Sequence, residues 1–149
     1  MKKLLLLLFS ITLSFNVSSN EDLSKYETLG LKTVVAFKCA NMLGHYEFSE
    51  KLGKDWSRLF DLGMESGTAL LEGMRSGLIG REFMNKHVPL LLSFRINDAA
   101  AWGFSNDFIL GGLFEELSAQ VYKEVGEASV RRINAKDMYL KNNCALVGN

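Results

Sequence analysis

The chain has 149 residues, with 17 Lys and Arg balanced by 17 Asp and Glu. That length suits one domain with a genuine core rather than two, and the balance gives no electrostatic reason to expect nucleic acid or an anionic membrane as partner. A single proline, no Asn-Gly or Asp-Gly pair and no alternating β-branched runs argue against a strand-rich fold.

Residues 1–19 read as a cleavable secretory signal. Lys2 and Lys3 supply a positive start, Leu4 to Phe15 an uncharged apolar run, and Val17, Ser18 and Ser19 the small residues that suit cleavage before Asn20. The run is shorter than the roughly 20 residues a membrane-crossing helix needs, so no transmembrane span is expected after cleavage. The expected destination is the periplasm or the extracellular space. An uncleaved signal would instead make the protein a membrane-tethered accessory factor. Losing Lys2 and Lys3 leaves 15 basic residues against 17 acidic ones in residues 20–149, which are expected to form a single helical domain.

The first helix is predicted from near Leu23 to Gly44, with Leu31, Val35, Cys39, Met42 and Tyr46 as its buried stripe. Cys39 and Cys144 are the only cysteines. In an exported protein two cysteines are expected to pair. Closing a loop of about 100 residues is worth up to roughly 4–5 kcal/mol in the chain-entropy model.

A second helix is predicted from Lys54 to Ser76. Trp56, Leu59, Phe60, Leu70, Leu71 and Met74 form its apolar face, and Asp55, Arg58, Asp61, Glu65, Glu72 and Arg75 its wet one. Gly63 and Gly67 fall within the apolar stripe. Each interior glycine costs about 1 kcal/mol relative to alanine, which points to a neighbouring helix packed unusually close at these two positions.

After the break at Gly77 and Gly80, a short helix is predicted over Arg81–His87. Pro89 then opens a segment whose Leu90, Leu91, Leu92, Phe94 and Ile96 look central. The next helix is predicted to start at Ser105, an N-cap residue with Asp107 in the first turn, and to continue to about Ile133. Leu110, Phe114, Leu117, Val121, Val125 and Ala128 mark its inner face. The remaining tail carries Met138, Tyr139, Leu140, Leu146 and Val147 as anchors. The predicted fold is all-α, a bundle of about four main helices plus short ones, stapled by Cys39–Cys144.

Chemical motifs are sparse. His45, Tyr46 and Glu47, with Glu50 nearby, superficially offer metal ligands, but no third ligand follows at a recognisable spacing and the H-x-E lacks a downstream P-C-x-x-C. His87 reads as a turn residue. H-E-x-x-H, the G-x-S-x-G elbow and the phosphate-cradling loop are all absent. No metal or cofactor is therefore expected. A glycosidase-type carboxylate pair could be drawn from Glu47, Glu50, Glu65 or Asp107, but sequence alone does not bring two of them together.

The most distinctive segment is Trp102 to Gly112. Trp102, Phe104, Ser105, Asn106 and Asp107 read as a recognition surface, aromatic area beside an open helix N-terminus. The favoured reading of this segment is nevertheless a packed corner, in which Trp102, Phe104 and Phe108 fill the end of the bundle and the glycines relieve crowding. The expected function is a non-enzymatic module that binds another protein, of inhibitor or immunity type. The alternative is an envelope enzyme, such as a cell-wall hydrolase, using a Glu/Asp pair.

Overall fold

The computed structural model describes residues 20–46 and 50–148; the expected signal, residues 1–19, lies outside them. The described residues form six α-helices and no strand: α1 (Asn20–His45), α2 (Glu50–Arg75), α3 (Arg81–His87), α4 (Leu90–Trp102), α5 (Asn106–Glu124) and α6 (Arg131–Lys141). One turn of 3-10 helix, Cys144–Leu146, follows. Among the described residues no helix is long and apolar enough to cross a membrane.

α1 and α2 form the most extensive pairing, and its closeness follows from residue size. A Cβ on Gly63 would lie closer than 3.0 Å to two carbons of the Phe37 ring. On Gly67 it would be 2.5 Å from Leu110 and 3.2 Å from the Thr33 methyl, and on Gly73 it would run into the Tyr26 ring. The matched positions 63 with 37, 67 with 33 and 73 with 26 run in opposite senses, so the two helices are antiparallel. α5 lies alongside α1 in the same sense, with Leu110 near Thr33 and the Phe114 carbonyl accepting from Asn41 Nδ2 at 3.3 Å.

Two apolar clusters make the core. One gathers Phe37, Leu70, Leu71, Leu92, Ile96, Ile109, Leu110, Leu113 and Leu117. The other gathers Cys39, Leu43, Leu59, Val121, Val125, Ala135 and Cys144. Phe114 packs against both, and its ring meets Phe60 edge-on at 5.1 Å and Phe37 at 5.3 Å. Each fully buried Leu, Ile, Val or Phe contributes on the order of 1.5–3 kcal/mol.

The predicted α1 stripe is corrected here. Leu31 and Val35 are exposed, while Thr33 and Asn41 are buried. Each buried polar side chain donates to a carbonyl one turn back, Thr33 Oγ1 to Leu29 at 2.8 Å and Asn41 Nδ2 to Phe37 at 3.0 Å. With its donor satisfied, a polar residue can face the core. α4 is central only in part: Leu92 and Ile96 are fully buried, but Leu90 and Phe94 are exposed. Ser93 and Asn97 both donate to Asn85 Oδ1, at 2.9 Å each, tying α4 to α3. Asn97 Oδ1 is the one buried side-chain acceptor without a partner among the described residues.

The helix count of four main elements is also corrected. The helix expected to reach Ile133 stops at Glu124, because Gly126 adopts φ +75, the left-handed conformation that ends helices. Asn134 Nδ2 donates to the Val125 carbonyl at 2.9 Å, and Arg131 Nε to the Gly126 carbonyl at 3.3 Å. These bonds turn the chain into α6, which buries only Ala135 fully.

The Cys39–Cys144 disulfide is present, with Cα atoms 5.5 Å apart and a sequence separation of 105. Both cysteines are essentially inaccessible to solvent. Beyond it, Arg58 Nη1 donates to the Val147 carbonyl, which holds the end of the chain against α2.

Candidate functional site

α4 ends at Trp102 and α5 begins at Asn106, so the segment between them forms an external corner. Ser105 caps α5: its backbone is extended and its hydroxyl oxygen accepts from the Phe108 N–H at 3.3 Å. The negative charge of Asp107 sits in the first turn, where the helix dipole favours it. The Trp102 side chain lies outside the described residues.

Phe104 and Phe108 do not fill the end of the bundle. They are 42% and 62% exposed, and their rings lie against each other with centroids 4.5 Å apart. Arg75, the last residue of α2, fixes the backbone beneath them. Its Nη2 donates to the Phe104 carbonyl at 2.7 Å, and its Nη1 to Asn106 Oδ1. A planar guanidinium is well suited to gripping two acceptors at once. The result is a two-ring apolar surface on a backbone held from three sides: α4, the α5 cap and α2. Sequence periodicity put Arg75 on the wet face of α2, and no motif marked it as the partner of a corner about 30 residues away.

Gly63 and Gly67 lie inside the bundle beneath Phe37 and Leu110, and the disulfide lies in the second core cluster. They shape the scaffold and do not touch the corner.

Among the described residues, the two histidines lie near opposite ends of α1. His45, at the C-terminal end of α1, lies 5.7 Å from the Tyr122 ring. Burial, and secondarily the Arg131 cation stacked 4.0 Å over Tyr122, hold its pKa below the ordinary imidazole value. His87 stacks on Phe83 at 4.9 Å, with Nδ1 3.7 Å from Glu27 near the other end of α1. The two imidazoles therefore cannot share a site. Among the described residues no three His, Cys, Asp or Glu side chains gather to hold a metal ion.

Of the four candidate carboxylates, the Glu47 and Glu50 side chains lie outside the described residues. Glu65 borders a surface cleft of about 230 Å³ with Arg58, Asp61, Leu62 and Gly148. Asp107 is in the first turn of α5, next to Asn106, which Arg75 engages, and Arg75 lies about 15 Å farther along α2 than Glu65. Comparison with models of known protein families, with characterised proteins and with solved structures finds no match to this chain.

Proposed function

We propose that this chain is an exported, non-enzymatic protein-binding module, of inhibitor or immunity type, and that the Phe104–Phe108 corner is its principal contact. The supporting observation is an aromatic pair left largely in solvent on a backbone that Arg75 and Ser105 hold fixed. Aromatic residues dominate interface energetics because they bury large areas with few torsions to freeze. A pre-formed backbone lowers the ordering cost of association further. Export enters through the signal-like residues 1–19, and the oxidised Cys39–Cys144 pair accords with it.

The test is a pull-down with the purified protein from an envelope extract, alongside Phe104→Ala and Phe108→Ala. A saturable partner retained by the parent and lost by both variants is expected. Identical recovery by all three would refute the role given to the corner. Mass measurement of the chain recovered from the envelope should show loss of residues 1–19; an intact cytosolic chain with free thiols would overturn the compartment.

A second reading, an envelope hydrolase, is favoured by one observation: Asp61 and Glu65 border the same cleft, one helical turn apart. Zymography on peptidoglycan separates the two readings, since lysis abolished by Glu65→Gln would favour the enzyme.

A further inference from the structure

Residues 20–149 contain one pair of adjacent basic residues, Arg131–Arg132. The pair lies where α5 gives way to α6. Every residue from Gly126 to Val130 is exposed, and the two arginines open the first turn of α6. Arg132 and Ile133, on either side of one peptide bond, are both exposed. An endoprotease must draw several residues on each side of the bond it cuts out of the helix and hold them extended. Nicking therefore follows the burial and hydrogen bonding of the backbone, not the mere presence of a basic residue. From Ser129 to Ala135 the only fully buried side chain is that of Ala135, a single methyl. The bonds that must open include those from the Arg131 N–H to the Glu127 carbonyl at 2.9 Å and from the Asn134 N–H to the Val130 carbonyl at 3.0 Å. The Arg131 Nε bond to Gly126 and the Asn134 Nδ2 bond to Val125 open with them. Met138 and Tyr139, which pack against the second core cluster, lie beyond this stretch.

Other basic residues near helix ends are pinned more firmly. The turn between Arg75 and Arg81 is held by buried Ile79, and the Leu78 and Ile79 N–H groups both donate to the Gly73 carbonyl, at 3.0 and 3.3 Å. Buried Val88 closely follows Lys86, and buried Cys144 closely follows Lys141. Around the Arg132–Ile133 bond the neighbours Val130, Ile133 and Asn134 are uncharged, and the nearest acids in sequence are Glu127 and Asp137. The disulfide brackets this bond, with Cys39 before it and Cys144 after it, while Arg58 separately holds the Val147 carbonyl. A cut there divides the chain without dividing the molecule.

We propose that the α5–α6 turn is a processing site, cut after Arg132 by an endoprotease that reads paired arginines, giving a two-chain protein held together by Cys39–Cys144. A carboxylate at the base of the protease's specificity pocket is the chemistry that selects arginine. Water adds across the bond: its hydroxyl goes to the Arg132 carbonyl carbon and its other hydrogen to the Ile133 nitrogen. The new acid then passes its proton to the new amine, and the disulfide sulfurs keep their oxidation state. The proposal concerns the covalent state of the chain. It does not depend on the aromatic corner, which lies at the opposite end of α5.

The probe is trypsin acting briefly on the folded, oxidised protein, read by intact mass with and without reduction. Trypsin accepts any lysine or arginine, so a first cut at the pair is decided by the structure. The first product is expected to be one water heavier than the parent, and to part on reduction into a chain ending at Arg132 and a peptide of residues 133–149. Replacing the pair, Arg131→Gln with Arg132→Gln, should abolish that product. Ile133→Pro should abolish it too while keeping both arginines, since it makes the scissile amide tertiary and places proline in a first helical turn. Helical circular dichroism should be unchanged in both variants. The chain recovered from its source should carry the same break. A first cut at any other lysine or arginine, a product that falls apart without reduction, or a chain recovered from its source uncut between residues 132 and 133 would overturn the proposal.

Discussion

Gly63→Ala isolates the close approach of α1 and α2. In an unpacked helix the change stabilises by about 1 kcal/mol, because alanine has the higher helix propensity. At position 63 the new methyl would stand closer than 3.0 Å to two carbons of Phe37 and 3.1 Å from a third. Carbon atoms prefer about 3.5–4.0 Å, so the ring must retreat by several tenths of an ångström or more. It has nowhere to go: Phe37 is fully buried between Phe60, at 5.8 Å, and Phe114, at 5.3 Å. Overpacking of a dense core costs about 1–3 kcal/mol; set against a propensity gain of about 1 kcal/mol, it leaves a net loss of up to about 2 kcal/mol. Gly111→Ala is the control, since an added Cβ there meets nothing within 4 Å on the exposed side of α5. Urea unfolding followed by circular dichroism should move the two midpoints in opposite directions. Trp56 fluorescence should also change in Gly63→Ala alone, because Trp56 stacks on Phe60 at 5.1 Å. A Gly63→Ala protein as stable as Gly111→Ala would refute the packing described.

Replacing both Cys39 and Cys144 by alanine should lower stability by about 4–5 kcal/mol, or roughly 10–20 °C in melting temperature for a domain of this size, measured by calorimetry against the oxidised parent. Arg75→Ala should leave the melting temperature nearly unchanged while accelerating amide exchange at Phe108, whose N–H is held by Ser105; unchanged exchange would mean that the clamp does not order the corner. Folding depresses the His45 pKa below 6.5, so the folded state binds fewer protons and stability falls as pH drops below 6.5 toward the depressed value. An NMR titration should show the His45 pKa rising in Arg131→Gln, though not fully to the ordinary value, because burial is the larger cause. No rise would exclude the Arg131 contribution.

The elements most readable from sequence were those whose ends carry local chemistry. Ser105 begins α5 through its own hydroxyl, and Pro89 stands immediately before α4. Periodicity failed on α1 because hydropathy assigns Leu31 and Val35 inward and Thr33 and Asn41 outward, whereas the side chain to backbone bonds of Thr33 and Asn41 remove their penalty for burial. It failed again after Glu124. The apolar positions allow a continuous helix to Ile133, and only the positive φ of Gly126 diverts it. Arg75 was invisible as a clamp because its acceptors, a backbone carbonyl and an asparagine oxygen, carry no pattern.

α6 shows why such a segment escapes detection and what holds it. Its single fully buried side chain, Ala135, cannot offset the conformational entropy of ordering an eleven-residue helix, so no strong apolar stripe was there to read. The segment is instead tethered at both ends. Asn134 and Arg131 grip the end of α5, while Cys144 and the Val147 carbonyl fasten the chain to α1 and α2. The disulfide therefore does more than restrict the unfolded chain: it completes the second core cluster, in which Cys39, Leu59, Val121 and Ala135 come from four different helices. The same dependence leaves the α1–α2–α5 core, with its aromatic corner, as the part that burial alone can sustain.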